Sequence, residues 1–225
     1  MNNEKKVFSI AIDGPCGAGK SSVAGRVAAI TNAAYLDTGA MYRSVGLYML
    51  DNGVNLDDVE AISARVYEAN VTIGYENGRQ QTYLNGVDVS QAIRRPEISA
   101  AASAVAKVHA VREHMVEMQR EIARGICLVM DGRDIGTCVL PDATLKIYLT
   151  ATAEERARRR FEQSKGEQPY EDVLKELIQR DINDTTREFS PLRRADDAVE
   201  VDSTNMSEDE VVETIVNLLR SRMEG

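Results

Sequence analysis

The sequence predicts an α/β fold of three layers with a parallel β-sheet core. Two observations carry that expectation. Short apolar runs rich in β-branched residues, such as Val7-Phe8-Ser9-Ile10-Ala11-Ile12 and Ile126-Cys127-Leu128-Val129-Met130, alternate with segments of helical period. The first run ends in Asp13-Gly14-Pro15 and a glycine-rich turn, after which a helix begins at about Lys20. Fully buried strands linked by helices pair in parallel, because each crossover returns the chain to the same sheet end.

Elements follow in order. After the first strand and a helix from about Lys20 to Thr31, Ala33-Ala34-Tyr35-Leu36 reads as a second strand ending at Asp37. Met41 to Leu50 reads as a helix stopped by Asn52-Gly53. Between about Ala69 and Val89 the pattern changes to alternation at Val71, Ile73 and Tyr75. Asn77-Gly78 and Asn85-Gly86 supply two turn signals, so a small antiparallel meander is expected. Pro96 opens a helical stretch that breaks near His109 and runs to Arg124. Leu145 to Leu149 is another buried strand. Thr152 and Glu155 form a capping box for a basic helix, which Gly166 and Pro169 end. A helix from Tyr170 to Arg187, a strand at Ala198 to Val201 and a helix capped by Ser207 and Glu210 complete the chain. Val211, Ile215, Leu218 and Leu219 line one face of that last helix.

The 225 residues suit one domain with an insertion. Hydrophobic residues at 43% and charged residues at 28% are ordinary globular usage. A net charge of −9 opposes a general nucleic-acid or anionic-membrane surface, and with no Trp and 3 Phe there is little to stack on bases. Three cysteines without CxxC spacing and 2 histidines argue against structural zinc and fit a reduced compartment. A soluble cytoplasmic protein is expected, acting as a monomer, with neither nucleic acid nor membrane as partner.

The segment Gly14, Pro15, Cys16, Gly17, Ala18, Gly19, Lys20, Ser21 matches G-x-x-x-x-G-K-[ST] in full, with Ser22 continuing into the helix. Such a loop wraps a polyphosphate with inward-facing amides and delivers it to a helix N-terminus. Lys20 would reach the β- and γ-phosphates and Ser21 would offer its hydroxyl to Mg²⁺. The expected fold is therefore that of the P-loop NTPases. A dinucleotide-binding fold is the rival. Gly17-Ala18-Gly19 begins its fingerprint and Asp37 falls where a ribose acceptor would sit, but Ser22 occupies the third glycine position.

The arginines bear on which reaction this is. Arg43 follows the second strand and Arg133 the third core strand, at the sheet end where ligands bind. Arg156, Arg158, Arg159 and Arg160 share one helix, and Arg180, Asp184 and Arg187 share a face of the next. Singly, each of the first group could be a solvated ion-pair partner. Together, in an acidic chain, they suggest a site where two anions meet, as in phosphoryl transfer to a phosphate acceptor.

Gly14 to Ser21, Asp37-Thr38-Gly39-Ala40-Met41-Tyr42-Arg43 and Asp131-Gly132-Arg133-Asp134-Ile135-Gly136-Thr137, in that order, resemble the bacterial cytidylate kinases, and the resemblance covers essentially the whole chain. It implies ATP-dependent phosphorylation of CMP and dCMP, with Mg²⁺ as cofactor. It also implies a single nucleoside monophosphate kinase domain, with a monophosphate-binding insertion at about 60–108 and a lid at about 152–169. Arg43, Arg133 and Arg187 would hold the acceptor phosphate. Thr38, Arg112 and Asp134 would face the cytosine, and Arg180 with Asp184 the ribose. Lys20, Arg43 and Arg133, with Arg158 and Arg159 from the lid, would stabilise the migrating group. Asp37 would stand with Ser21 on the metal side, orienting the loop or a metal-bound water. A carboxylate accepts from the exocyclic amine of cytosine, which uracil lacks, so Asp134 is the candidate for base choice. It could instead pair with Arg133 or serve the metal. Other acceptors (UMP, AMP or shikimate) and a regulatory nucleotide switch are the alternatives. Cys16 is either an oxidisable thiol or a small filler.

Overall fold

The computed structural model describes residues 7–76, 79–166 and 168–224. The described elements are β1 (Ser9–Asp13), α1 (Lys20–Thr31), β2 (Ala34–Asp37), α2 (Thr38–Asp51), α3 (Val59–Arg65), β3 (Val71–Glu76), β4 (Arg79–Leu84) and β5 (Val87–Asp88). They continue with α4 (Pro96–Val105), α5 (His109–Ala123), β6 (Leu128–Gly132), β7 (Leu145–Thr150), α6 (Ala153–Gln163), α7 (Tyr170–Thr186), β8 (Val199–Asp202) and α8 (Glu208–Glu224). Among the described residues no helix is long and apolar enough to cross a membrane.

The chain divides into two compact units. One holds the residues up to Leu36 with Ala123–Thr186 and Pro191 onward; the other holds Asp37–Ile122 with Arg187–Ser190. The five-stranded sheet has the order β2-β6-β1-β7-β8, with β1 parallel to both β6 and β7, and β7 parallel to β8. Ile10 and Ile12 of β1, fully buried, share a core with Val23, Ala24 and Val27 of α1 and with Val211, Val212 and Ile215 of α8. Val211 and Ile215 belong to the apolar face that the sequence places on the last helix. Register sets Asp13 beside Gly132 and Tyr148, so the segments after β1, β6 and β7 emerge together at one sheet end.

In the second unit, β3, β4 and β5 form an antiparallel sheet. Asn85 and Gly86 adopt φ of 50° and 82°, the left-handed pair a tight two-residue hairpin turn requires. The Asn77-Gly78 turn lies outside the described residues. α2 packs closely on α4. A Cβ at Gly46 would stand 2.9 Å from the backbone N of Ala102, so only glycine permits this approach. This unit encloses the span from about 60 to 108.

Several boundaries differ from the sequence reading. α2 begins at Thr38, not Met41, because the Asp37 side chain accepts from Ala40 N and caps it. α3 is an additional helix, capped by Asp58. A five-residue π-turn, Ile135–Val139, occupies a stretch that carries no periodic signal. α7 stops at Thr186, so Arg187 lies just past the helix it was expected to share with Arg180 and Asp184.

Candidate active site

In the unit that holds the five-stranded sheet, the turn after β1 is shaped by exclusion. A Cβ at Gly14 would lie 2.0 Å from the carbonyl oxygen of Leu149. α1 then starts at Lys20 with Gly19 as a cap that offers no side chain and with no acid in the first turn. Its N-terminal amides are thus left for an anion. Lys20 is buried and donates from Nζ to Pro15 O at 2.7 Å, curling over the loop. Burial, and then the charge of Arg133, lower its pKa to about 7.

Ser21 Oγ donates to Asp131 Oδ2 at 2.9 Å, and Tyr35 Oη donates to Asp131 Oδ1 at 2.8 Å. Hydroxyl beside carboxylate is an all-oxygen set suited to a hard divalent cation, so the residues fit Mg²⁺. Asp131, at the end of β6, and Tyr35 are functional candidates that sequence reasoning did not single out. Asp131 sat inside a quoted motif, but the contact with Tyr35 spans 96 positions and leaves no local trace.

Arg133 Nε donates to Asp184 Oδ2 at 2.7 Å, and both side chains are largely buried. Burial disfavours the charge, but Asp184 outweighs it and holds Arg133 more basic than usual. Arg133 therefore pairs with Asp184 of α7. Asp134 is 4% exposed. Burial alone would raise the Cys16 thiol, yet the charges of Arg180, Arg133 and Lys20 outweigh it, and its pKa falls below the ordinary value. That shift registers how much positive potential converges on the loop. Lys20, Ser21, Arg133, Asp134, Arg180 and Asp184 thus belong to one unit.

The helix α6 divides its arginines. Arg156, grouped by sequence with the others, is 5% exposed and wholly engaged. Its Nε donates to Ala151 O at 3.0 Å, its Nη1 to Cys16 O at 2.8 Å, and its Nη2 pairs with Asp181 at 2.7 Å. It fastens the phosphate loop to α7. Arg158, half exposed, pairs with Glu155 and Glu162 on its own helix. Arg159 bonds Glu155 and both the hydroxyl and carbonyl of Ser203.

The second unit carries the other candidates. Thr38 is buried in the first turn of α2. Arg43 Nη2 pairs with Asp37 Oδ2 at 2.7 Å, while Asp37 Oδ1 caps α2, so both oxygens of this carboxylate are engaged. Gln80, a residue the sequence did not flag, accepts through Oε1 from Asp37 N at 2.8 Å and ties β4 to this corner. Arg112 on α5 is 3% exposed and lies over the Tyr42 ring at 5.5 Å. Arg187 Nε donates to Ser190 O at 2.7 Å.

A phosphate loop between a central parallel strand and a helix, with a hydroxyl–carboxylate pair and converging cations, defines a P-loop phosphotransferase. The family model described as cytidylate kinase matches residues 10–221. Cytidylate kinase of Caldicellulosiruptor bescii is 48% identical over 216 residues, covering 95% of this chain and 96% of that protein. That of Bacillus pumilus is 48% identical with the same coverage. This chain belongs to the cytidylate kinase family. An uncharacterized protein from Eubacterium ventriosum shares the fold, with a TM-score of 0.53 at 14% identity over 96% of this chain and 99% of that one.

Proposed function

We propose that this chain transfers the γ-phosphoryl group of ATP to CMP and dCMP, giving ADP and the corresponding diphosphates. The observation that carries the proposal is family membership over nearly the full length, together with a complete phosphate loop. The amides from Gly14 to Ser22 bind the donor's phosphates, and Lys20, once an anion faces it, is protonated and neutralises developing charge. Ser21 and Asp131 would hold Mg²⁺, and Asp37 orients Arg43. The bound ion would supply neutralisation of charge on the donor's phosphates. Arg43, Arg133 and Arg187 take the acceptor's phosphate, which is already a nucleophile at neutral pH and needs no strong base. Asp134, with Thr38 and Arg112, reads the cytosine; its carboxylate accepts from the exocyclic amine. Arg180 and Asp184 hold the ribose. Residues at about 60–108 serve monophosphate binding. The segment at about 152–169, with Arg158 and Arg159, acts as a lid that excludes water as a competing acceptor. The working form is a cytoplasmic monomer.

The test is a coupled ADP-release assay over CMP, dCMP, UMP, AMP and shikimate. CMP and dCMP should support turnover, with kcat/KM for UMP at least about tenfold lower, roughly the value of one discriminating polar contact. ADP release that ignores the acceptor would replace this reading with a nucleotide switch.

A further inference from the structure

Asp13 ends β1 one residue before the glycine that opens the phosphate loop, and it is 5% exposed. Its carboxylate bridges to a different strand's exit. Oδ1 accepts from Ile135 N at 2.8 Å and Oδ2 from Gly136 N at 2.7 Å. These two amides open the π-turn Ile135–Val139, and Asp134, which stands at its cap position, contributes no side-chain cap. The cap comes instead from a residue more than a hundred positions earlier. A Cβ at Gly136 would lie 3.1 Å from Lys146 Cδ and 3.4 Å from Asp13 Oδ2, so the turn is seated directly on this carboxylate.

An ionised carboxylate presents a separate charged oxygen to each of two neighbouring N–H groups; a carboxamide presents one oxygen and sets an N–H₂ against the other amide. The turn so held follows directly on Arg133 and Asp134, and both sit in the same compact unit as Asp13. We propose that Asp13 is a positioning residue for acceptor choice: by capping the π-turn it fixes where Asp134 stands relative to the phosphate loop. The inference rests on the reading of Asp134 as the group that selects cytosine. Asp13 acts through Asp134 and Arg133, and the donor loop's own grip on ATP does not depend on the cap.

The groups facing Asp13 are Lys20 from α1, Asp134 from the turn, and Tyr148 and Lys146 from β7. Burial raises Asp13 to about 6, against the lowering by its two amides. Protonation sets a hydroxyl against one of the two amides, a weaker acceptor than a charged oxygen, and loosens that end of the cap. Base selectivity should therefore decline as the pH falls through that value. CMP and UMP carry the same phosphate and meet the same Lys20, so the ratio of their kcat/KM values cancels both of those titrations.

The experiment measures kcat/KM for CMP and UMP on the wild type and Asp13→Asn between pH 5.5 and 7.5, with affinity for a fluorescent ATP analogue alongside. In the wild type, the CMP-to-UMP ratio should fall about threefold from pH 7.5 to 5.5, since about a quarter of Asp13 is still ionised at the lower pH. In Asp13→Asn it should be reduced by a similar factor already at pH 7.5 and stay flat, with analogue affinity within about twofold of wild type. A wild-type ratio in the Asn variant, or an equal loss of analogue affinity, overturns the proposal. If the variant does not fold, a flat wild-type ratio across the range overturns it. A wild type that shows no CMP preference at any pH instead removes the Asp134 reading beneath it.

Discussion

At Gly14 the obstacle to any side chain is another stretch of main chain. The Leu149 carbonyl oxygen would stand 2.0 Å from a Cβ there, and no rotamer relieves a backbone clash. Gly14→Ala should therefore destabilise the protein by more than about 3 kcal/mol, well beyond the usual effect of a single substitution. It should also weaken ATP binding at least about a hundredfold, since the loop can relax only by moving its amides. Urea denaturation and calorimetry would check both. A variant within about 1 kcal/mol of wild type that still binds ATP would mean that β7 does not brace the loop. Lys20 shows the complementary case. Its ammonium is buried against Pro15 O and near Arg133, an environment that an anion would make favourable.

At the scale of elements, α8 shows how local sequence becomes a packed helix. Ser207 N donates to Glu210 Oε2 at 2.8 Å and Glu210 N donates to Ser207 Oγ at 3.3 Å, a complete reciprocal cap. The helix then buries Val211, Val212, Ile215, Val216 and Leu219. Ser207→Ala should cost about 1 kcal/mol, lower Tm by about 2–4 °C and leave kcat unchanged, as thermal unfolding and steady-state assays would show. α6 is only half of the same motif. Thr152 Oγ1 accepts from Glu155 N at 3.3 Å, but the Glu155 carboxylate turns to Arg158 and Arg159. The competing cations that sequence places one turn away explain the difference. Strands, caps and apolar stripes of this kind are local signals and could be read directly. α3 could not, because Ile62 is its one buried residue and no stripe forms. The π-turn could not either, since Asp13, 122 and 123 positions away from its amides, decides its geometry. For the same reason the arginines of α6 look alike in sequence, while tertiary contacts make Arg156 a buried clasp and leave Arg158 in solvent.

For the molecule as a whole, two buried groups beside the phosphate loop oppose folding over different pH ranges. Burial raises Asp13 from 3.8 to about 6. Its stabilising contribution is thus complete below the unfolded value and is lost as pH rises through 6. Burial, with Arg133 second, lowers Lys20 from 10.5 to about 7. Its contribution is complete above the unfolded value and is lost as pH falls through 7. Both losses are therefore present together between about 6 and 7, the range in which the site must carry these charges to work. Carboxylates held low in ion pairs that reach solvent, such as Glu155 beside the exposed Arg158 and the exposed Asp197 beside Lys146, withdraw their small contributions only in more acidic solution. The urea midpoint of the ATP-free protein should accordingly pass through a minimum near pH 6.5, rising toward both pH 5 and pH 8.5 by roughly a kilocalorie per mole or more. The rise on the acid side should flatten in Asp13→Asn, and the rise on the alkaline side in Lys20→Met, because each substitution removes one titration. A midpoint that peaks near pH 6.5 would mean that both groups keep enough water to titrate as they do in the unfolded chain, and that the loop holds its charges without sacrificing stability.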